Sequence, residues 1–510
     1  MAKGGGITLV GKAPFGMESC EAELRILGEE KYSDLYFDET PFNNIAIHED
    51  TYLIIGRRGS GKTALAQYFS FQKQIPNPTC IEVHKPEVYQ QVLSEISRRT
   101  SESRAIAVAH LKRVWEFVIW SLIAHTVETD PLALGQDDED PTRQGSMSQR
   151  VADLIQYLMR FFDASDDKTI GITLERTVNE ENLTDVRAAA IKFAKRKPLI
   201  VAIDTLEQYD ISNDALMNAL AALIEYAAEF NLDYVPKNIH LKVFVSGEVF
   251  PHVEESVLLN PLKAVRNPVY LLWRPKDLLR LIGWRFYRHL DAEGLWKNKP
   301  NTIDWDDDTE VLNKVWIPHF RQSHINARGR PEDTWPYVLR HTQMRPRQLI
   351  VICNSIAQLA IQGGTFPYFE DRQIVEGVKL AELRLAREIL NSFSEIYPGV
   401  DRIVSALSGL PKLFRGNELD KRASQSAAEW KTEYSPSRFK QLVSELGIVG
   451  RVTRGDENSD FIDADFEYGS TERLMLTHRD SCVIHPMFYQ KLNISINTEA
   501  RVMPFTTKRG

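Results

Sequence analysis

Residues 52–66 read Tyr-Leu-Ile-Ile-Gly-Arg-Arg-Gly-Ser-Gly-Lys-Thr-Ala-Leu-Ala: an apolar run, a glycine-rich turn, and a helix-forming segment opened by Lys62-Thr63. This is the pattern G-x-x-x-x-G-K-[ST] between a predicted strand and a predicted helix. Gly56, Gly59 and Gly61 give the backbone the freedom to turn successive N–H groups of Arg57, Arg58, Ser60 and Ala64 inward, which makes an anion nest at a helix N-terminus. A triphosphate such as that of ATP fits such a nest. Lys62 reaches the β/γ-phosphate oxygens, and the Thr63 hydroxyl is a ligand for Mg²⁺.

A nucleotide site needs a second element that places a carboxylate beside the metal, and the chain offers one. Pro198-Leu-Ile-Val-Ala-Ile-Asp204 is a fully apolar, β-branched run ending in an acid, the pattern of a central strand in a parallel sheet. Asp204 is the expected second metal ligand. Glu207, three residues on, is the candidate for polarising the attacking water, with Asp210 a poorer one and a surface loop acid the plain alternative. Two further strands are expected at His240–Ser246 and Pro268–Trp273, and a short one at Thr79–His84. Ser246 then ends a strand where a polar group faces the γ-phosphate. The Ala- and Leu-rich stretch from Ser212 to Phe230 is the helix that joins the Asp204 and Ser246 strands. Strands alternating with helices imply right-handed crossovers and a doubly wound parallel sheet.

Length and composition set the frame. The 510 residues allow three or four domains, and 43% hydrophobic with 26% charged residues is ordinary globular composition. A net charge of −8 and a pI near 5.9 argue against a surface built chiefly for nucleic acid. Cys20, Cys80, Cys353 and Cys482 are far apart and read as reduced thiols, so a cytoplasmic protein is expected. The apolar run Val114–Ala124 contains Glu116 and falls short of the ~20 residues that cross a bilayer, so it is expected to be a buried helix.

The domain order follows from where the patterns change. Residues 1–45 are a lead-in with one short helix near Glu21–Leu27. Residues 46–275 form the nucleotide domain, with a helical insertion over about 86–197 marked by Val88, Val92, Ile96 and by Val151, Ile155, Leu158, Phe162. The acidic run Asp137–Asp140 inside it reads as a solvated loop rather than a metal site. Residues 276–398 are helical: Leu278, Ile282, Phe286 and Leu290 share a face, as do Ile374, Val378, Ala381, Leu385 and Ile389. Pro398-Gly399 closes that region. Residues 399–510 show helix, helix, then paired strands at Gly447–Thr453 and Arg473–Thr477, a winged-helix order. In Arg345-Pro346-Arg347 a proline starts a helix and aims two forked guanidiniums at phosphate, or merely solvates the helix end.

Taken together, Gly56–Thr63, Leu199–Asp204, the Ser246 strand end, Arg345-Pro-Arg347 with Asn354, and Val483-Ile-His-Pro-Met-Phe488 resemble the STAND and AAA+-like P-loop ATPases. The resemblance is strongest to the bacterial branch related to the origin-recognition and KAP ATPases, and spans residues 45 to 500. It implies an α/β P-loop fold followed by a helical lid and a winged helix. It places Ser246 in the sensor-1 position and Arg347, with Arg345, in the sensor-2 position. Arg266, just before the strand at Val269, stands where relatives carry an arginine finger for a neighbouring subunit, which implies a homo-oligomer. The alternative for Arg266 is an ion pair on its own surface. Glu207 is not adjacent to Asp204, which implies slow hydrolysis. Relatives in bacterial defence against phage suggest that setting and a protein effector or sensor as partner.

Three functions are compatible with these residues: a nucleotide-driven switch read by a protein, a DNA-loading ATPase, and an ATP-binding scaffold without turnover. Charge favours the first. From Asp401 onward there are 16 Lys or Arg against 15 Asp or Glu, and the expected wing carries Asp456, Glu457, Asp460, Asp463, Asp465 and Glu467. Such a wing repels a phosphate backbone.

Overall fold

The computed structural model describes residues 13–48, 50–71, 79–82, 104–129, 180–204, 211, 213–256, 258, 261–326 and 328–505. They form two compact units: Phe42–Arg58 with Lys62–Leu271, and Met1–Pro41 with Gly59–Gly61 and Leu272–Gly510.

The first unit is built on a parallel sheet of five strands, β1 (Leu53–Gly56), β2 (Thr79–Glu82), β3 (Leu199–Asp204), β4 (Ile239–Ser246) and β5 (Val269–Tyr270). Their order across the sheet is β2-β3-β4-β1-β5. After β1 the chain runs to the β2 edge and then returns strand by strand, passing β1 to end at β5. Right-handed crossovers moving in opposite directions put their helices on opposite faces, so the sheet is doubly wound and has a switch point beside β1. This is the α/β P-loop fold expected from the sequence. β1, β3 and β4 are buried along nearly their whole length, which explains their unbroken apolar runs. The helix Asp214–Tyr234 joins β3 to β4 and is capped by Asn213, whose Oδ1 accepts the Ala215 and Leu216 amides. The Val114–Ala124 run lies within the helix Arg104–Thr129, with Ile119, Trp120 and Ile123 inaccessible. No helix among the described residues is long and apolar enough to cross a membrane. Glu207, Asp210, the acidic run 137–140 and the periodic stretches at 88–96 and 151–162 lie outside the described residues.

In the second unit the helices Pro275–Ala292, Pro346–Gly363 and Asp371–Ser392 bury the faces read from the sequence, with Leu278, Ile282, Leu349, Ile374 and Leu385 fully enclosed. Residues 13–41 of the lead-in, unreadable in sequence, belong to this unit. Phe15 stacks on Phe286 at 4.6 Å, and Glu23 makes a buried ion pair with Arg285 at 2.8 Å. Asn354, two turns beyond Arg345-Pro-Arg347, holds this segment: its Oδ1 accepts the Phe15 amide and its Nδ2 donates to the Gly16 carbonyl.

A β-hairpin, β6 (Ser323–Ile325) and β7 (Pro331–Asp333), precedes the helix starting at Pro346. The C-terminal residues form a second sheet of β8 (Leu413–Arg415), β9 (Val449–Arg454), β10 (Phe461–Asp465), β11 (Ser481–Ile484) and β12 (Arg501–Met503), ordered β12-β10-β9-β11-β8. The strand expected at Arg473–Thr477 does not form. The Arg473 guanidinium pairs with the buried carboxylates of Glu445 and Glu467, and the Leu474 amide donates to Glu467 Oε2 at 3.1 Å. These bonds take the run out of the ladder, and β9 pairs with β10 and β11 instead.

The same region carries a pH-dependent element. His485 is fully buried; its Nδ1 accepts the Met487 amide at 3.2 Å, so Nε2 holds the proton and donates to the Thr342 carbonyl at 3.1 Å. Burial, then the nearby His341 and Arg345, push its pKa down to about 3. A histidine near 6.5 in the unfolded chain therefore binds more protons than the folded one between those values. Stability is complete above about pH 6.5 and falls with pH below it, by about 2 kcal/mol at pH 5. Denaturant midpoints followed by tryptophan fluorescence should drop between pH 7 and pH 5, and His485→Gln should flatten the drop by about that amount. An equally steep acid slope in the variant would contradict the assignment.

Candidate nucleotide site

The site is assembled where β1 ends. Gly59 and Gly61 adopt φ of +81° and +100°, a region costly to residues with a Cβ, and the helix Lys62–Phe71 begins immediately after. As in any α-helix, the N–H groups of the first turn lack intrahelical partners, which leaves those of Thr63 and Ala64 available to an anion. Lys62 is only 4% exposed, and its ammonium donates to the Gly56 carbonyl at 2.9 Å. It is folded back over the loop it would share with phosphate. The Thr63 hydroxyl donates to Asp204 Oδ2 at 2.7 Å, across 141 residues. The two predicted metal ligands are therefore brought together by the β3 end and the helix start.

This donor set fits Mg²⁺–ATP. A hydroxyl and a carboxylate in contact are the hard oxygen ligands magnesium takes, leaving positions for water and phosphate. In the loop itself the Ser60 hydroxyl is 2% exposed and has no hydrogen-bond partner among the described residues. Such a buried donor is characteristic of a site made for an acceptor-rich ligand.

Ser246 does end β4, paired in register with Gly56 of β1. Its hydroxyl, however, donates to Glu248 Oε2 at 2.7 Å. Glu248 was not singled out from the sequence; both its oxygens accept the Arg58 amide, at 3.0 and 3.2 Å. The Arg57 side chain lies against Gly247.

The arginines separate. The loop tip Gly59–Gly61 groups with the second unit, where the Arg347 amide donates to the Gly59 carbonyl at 3.3 Å and the Trp273 indole to the Ser60 carbonyl at 2.8 Å. The Arg347 guanidinium donates to the Glu18 carbonyl at 2.9 Å and lies 3.3 Å from a Glu388 carboxylate oxygen. Arg345, expected to bind phosphate, is buried and donates to Gln343 Oε1 at 2.9 Å. As the residue capping the helix it faces inward while Arg347, two positions on, faces the loop tip. Arg266 donates to the Ala228 carbonyl at 2.8 Å, and its amide donates to the Tyr52 hydroxyl at 3.0 Å. Among the described residues its guanidinium is thus held by a carbonyl rather than by the acid of the alternative reading.

No family model and no curated protein matches this sequence. Among solved structures, the ORC2 protein of Aeropyrum pernix in ADPNP–ADP complexes is 12% identical, with a TM-score of 0.32 over 85% of this chain and 86% of that one. The ORC1 protein of the same organism in complex with DNA is 15% identical, with a TM-score of 0.26 over 87% of each chain. At such scores the likeness carries no argument. The fold assignment rests on the sheet order and the site geometry.

Proposed function

We propose that this chain is an ATP-binding, slowly hydrolysing molecular switch whose residues 276–510 report nucleotide state to a protein partner. The observation that carries the reading is the Thr63–Asp204 contact at 2.7 Å beside the buried ammonium of Lys62. Bound Mg²⁺–ATP would supply the electrophilic γ-phosphoryl group. Lys62 would exchange the Gly56 carbonyl for the phosphates, Thr63 and Asp204 would hold the metal, and Glu207 would orient the attacking water. Arg347 and Ser246 are the groups proposed to respond to the γ-phosphate. Within the second unit the Gly59 and Ser60 carbonyls are held by Arg347 and Trp273.

Residues 399–510 are read as a winged helix that contacts protein. In its candidate recognition helix, Pro436–Glu445, Lys440 pairs with Asp420 at 2.7 Å and Arg438 donates to the Glu433 carbonyl. The two cations available for a phosphate backbone are thus engaged at home, and the β9–β10 turn carries Asp456, Glu457 and Asp460. The partner is proposed to be an effector or sensor, in bacterial antiphage defence, with the chain acting as a homo-oligomer.

Hydrogen exchange on the full chain tests the switch. Protection in 346–363 and 436–445 should differ between saturating ADP and a non-hydrolysable ATP analogue. Identical exchange in the two states would reduce the protein to a scaffold that binds nucleotide without signalling it.

A further inference from the structure

Two residues beyond β4, Glu248 is only 5% exposed, and a carboxylate is rarely buried unless it is paired. Its partners lie on the phosphate loop and on the strand end. The Arg58 amide donates to both of its oxygens, and the Ser246 hydroxyl donates to Oε2. The Glu248 amide donates back to Ser246 Oγ at 3.3 Å. Between them, the Gly247 amide donates to the Gly56 carbonyl at 3.0 Å, and a Cβ at Gly247 would come within 3.1 Å of the Arg57 nitrogen. The first half of the phosphate loop is therefore fastened to the turn after β4 by main chain and by carboxylate.

The charge is the wrong sign for an anion site. A carboxylate buried beside phosphates repels them, so its contribution has to come through the loop and not through the ligand. A loop that turns several N–H groups inward at two positive-φ glycines has many competing conformations when free. An acceptor with full negative charge makes the stronger kind of hydrogen bond, and one such bond at Arg58 selects among those conformations.

We propose that Glu248 is a positioning residue that holds the phosphate loop in its phosphate-accepting form. This rests on the reading of the loop as an ATP site. Apparent affinity scales with the fraction of molecules whose loop is already competent, so loosening the loop weakens every nucleotide alike. ATP and ADP should lose affinity by the same factor, because the clamp acts on the loop and makes no contact with the γ-phosphate.

The test is titration of the full chain with Mg²⁺–ATP and Mg²⁺–ADP in wild type, Glu248→Ala and Glu248→Gln. Alanine removes both links. Glutamine keeps them, its Oε1 accepting from Arg58 and its Nε2 donating to Ser246 Oγ, while cancelling the charge. Glu248→Ala should bind both nucleotides at least about fivefold more weakly, a loss in the range expected for a charged hydrogen bond. Glu248→Gln should return to within about threefold of wild type or bind more tightly, since the repulsion is gone. The proposal is overturned if alanine costs less than that, if glutamine is as weak as alanine, or if only ATP is affected. Should Glu248→Ala fail to fold, Glu248→Asp, too short to span both partners, is held to the same criteria. Wild-type protein that binds neither nucleotide overturns the ATP reading itself; normal binding by both wild type and Glu248→Ala overturns this inference alone.

Discussion

Lys62→Ala should lose ATP binding by at least about a hundredfold, the cost of removing a charged donor from a desolvated anion site. The physical case is specific to where this lysine sits. Its ammonium is buried and already within 2.9 Å of the Gly56 carbonyl, so it is poised over the nest and screened from water. Loop amides alone supply partial charges at the helix N-terminus, which cannot balance three or four phosphate charges. Filter binding with labelled ATP reads the change, with Lys62→Met as a control that keeps the side-chain volume. Equal retention of label by wild type and both variants would remove the phosphate-loop assignment.

The two carboxylates should separate by function. Asp204→Asn keeps an oxygen to accept from Thr63 but loses the charge on the metal, so magnesium should add little to its ATP affinity. Glu207→Gln should bind ATP as wild type does and lose phosphate release by at least about a hundredfold, the signature of an interaction made only in the transition state. Measured phosphate release at the wild-type rate in Glu207→Gln would assign the water-positioning role elsewhere.

What the sequence made legible was whatever local pattern or chemistry determines. Gly56–Thr63 announces the loop because positive φ and an inward nest require glycine at given spacing. Asp204 is readable because a central parallel strand is apolar throughout and the acid ends it. Leu278, Ile282, Phe286 and Leu290 recur at the helical period and are all buried. The failures are long-range. Glu248 follows a strand like any turn acid, and only the approach of Arg58, 190 residues away, gives it a role. Phe15 and Glu23 have no periodic neighbours; their partners Phe286 and Arg285 come from a helix more than 260 residues on. Arg345 and Arg347 look equivalent in sequence, and packing alone turns one inward. Leu474 and Leu476 alternate like a strand, but the buried acids Glu445 and Glu467 hold Arg473 and draw the segment away from the sheet.

The central claim is that Thr63 and Asp204 form one half of a magnesium site that completes itself on ATP. Calorimetric titration of the full chain with ATP, in magnesium and in excess chelator, tests it most directly. One ATP per chain should bind, clearly more tightly with magnesium than without, and Asp204→Asn should abolish that difference. Absence of binding, or an affinity indifferent to magnesium in the wild-type protein, would contradict it.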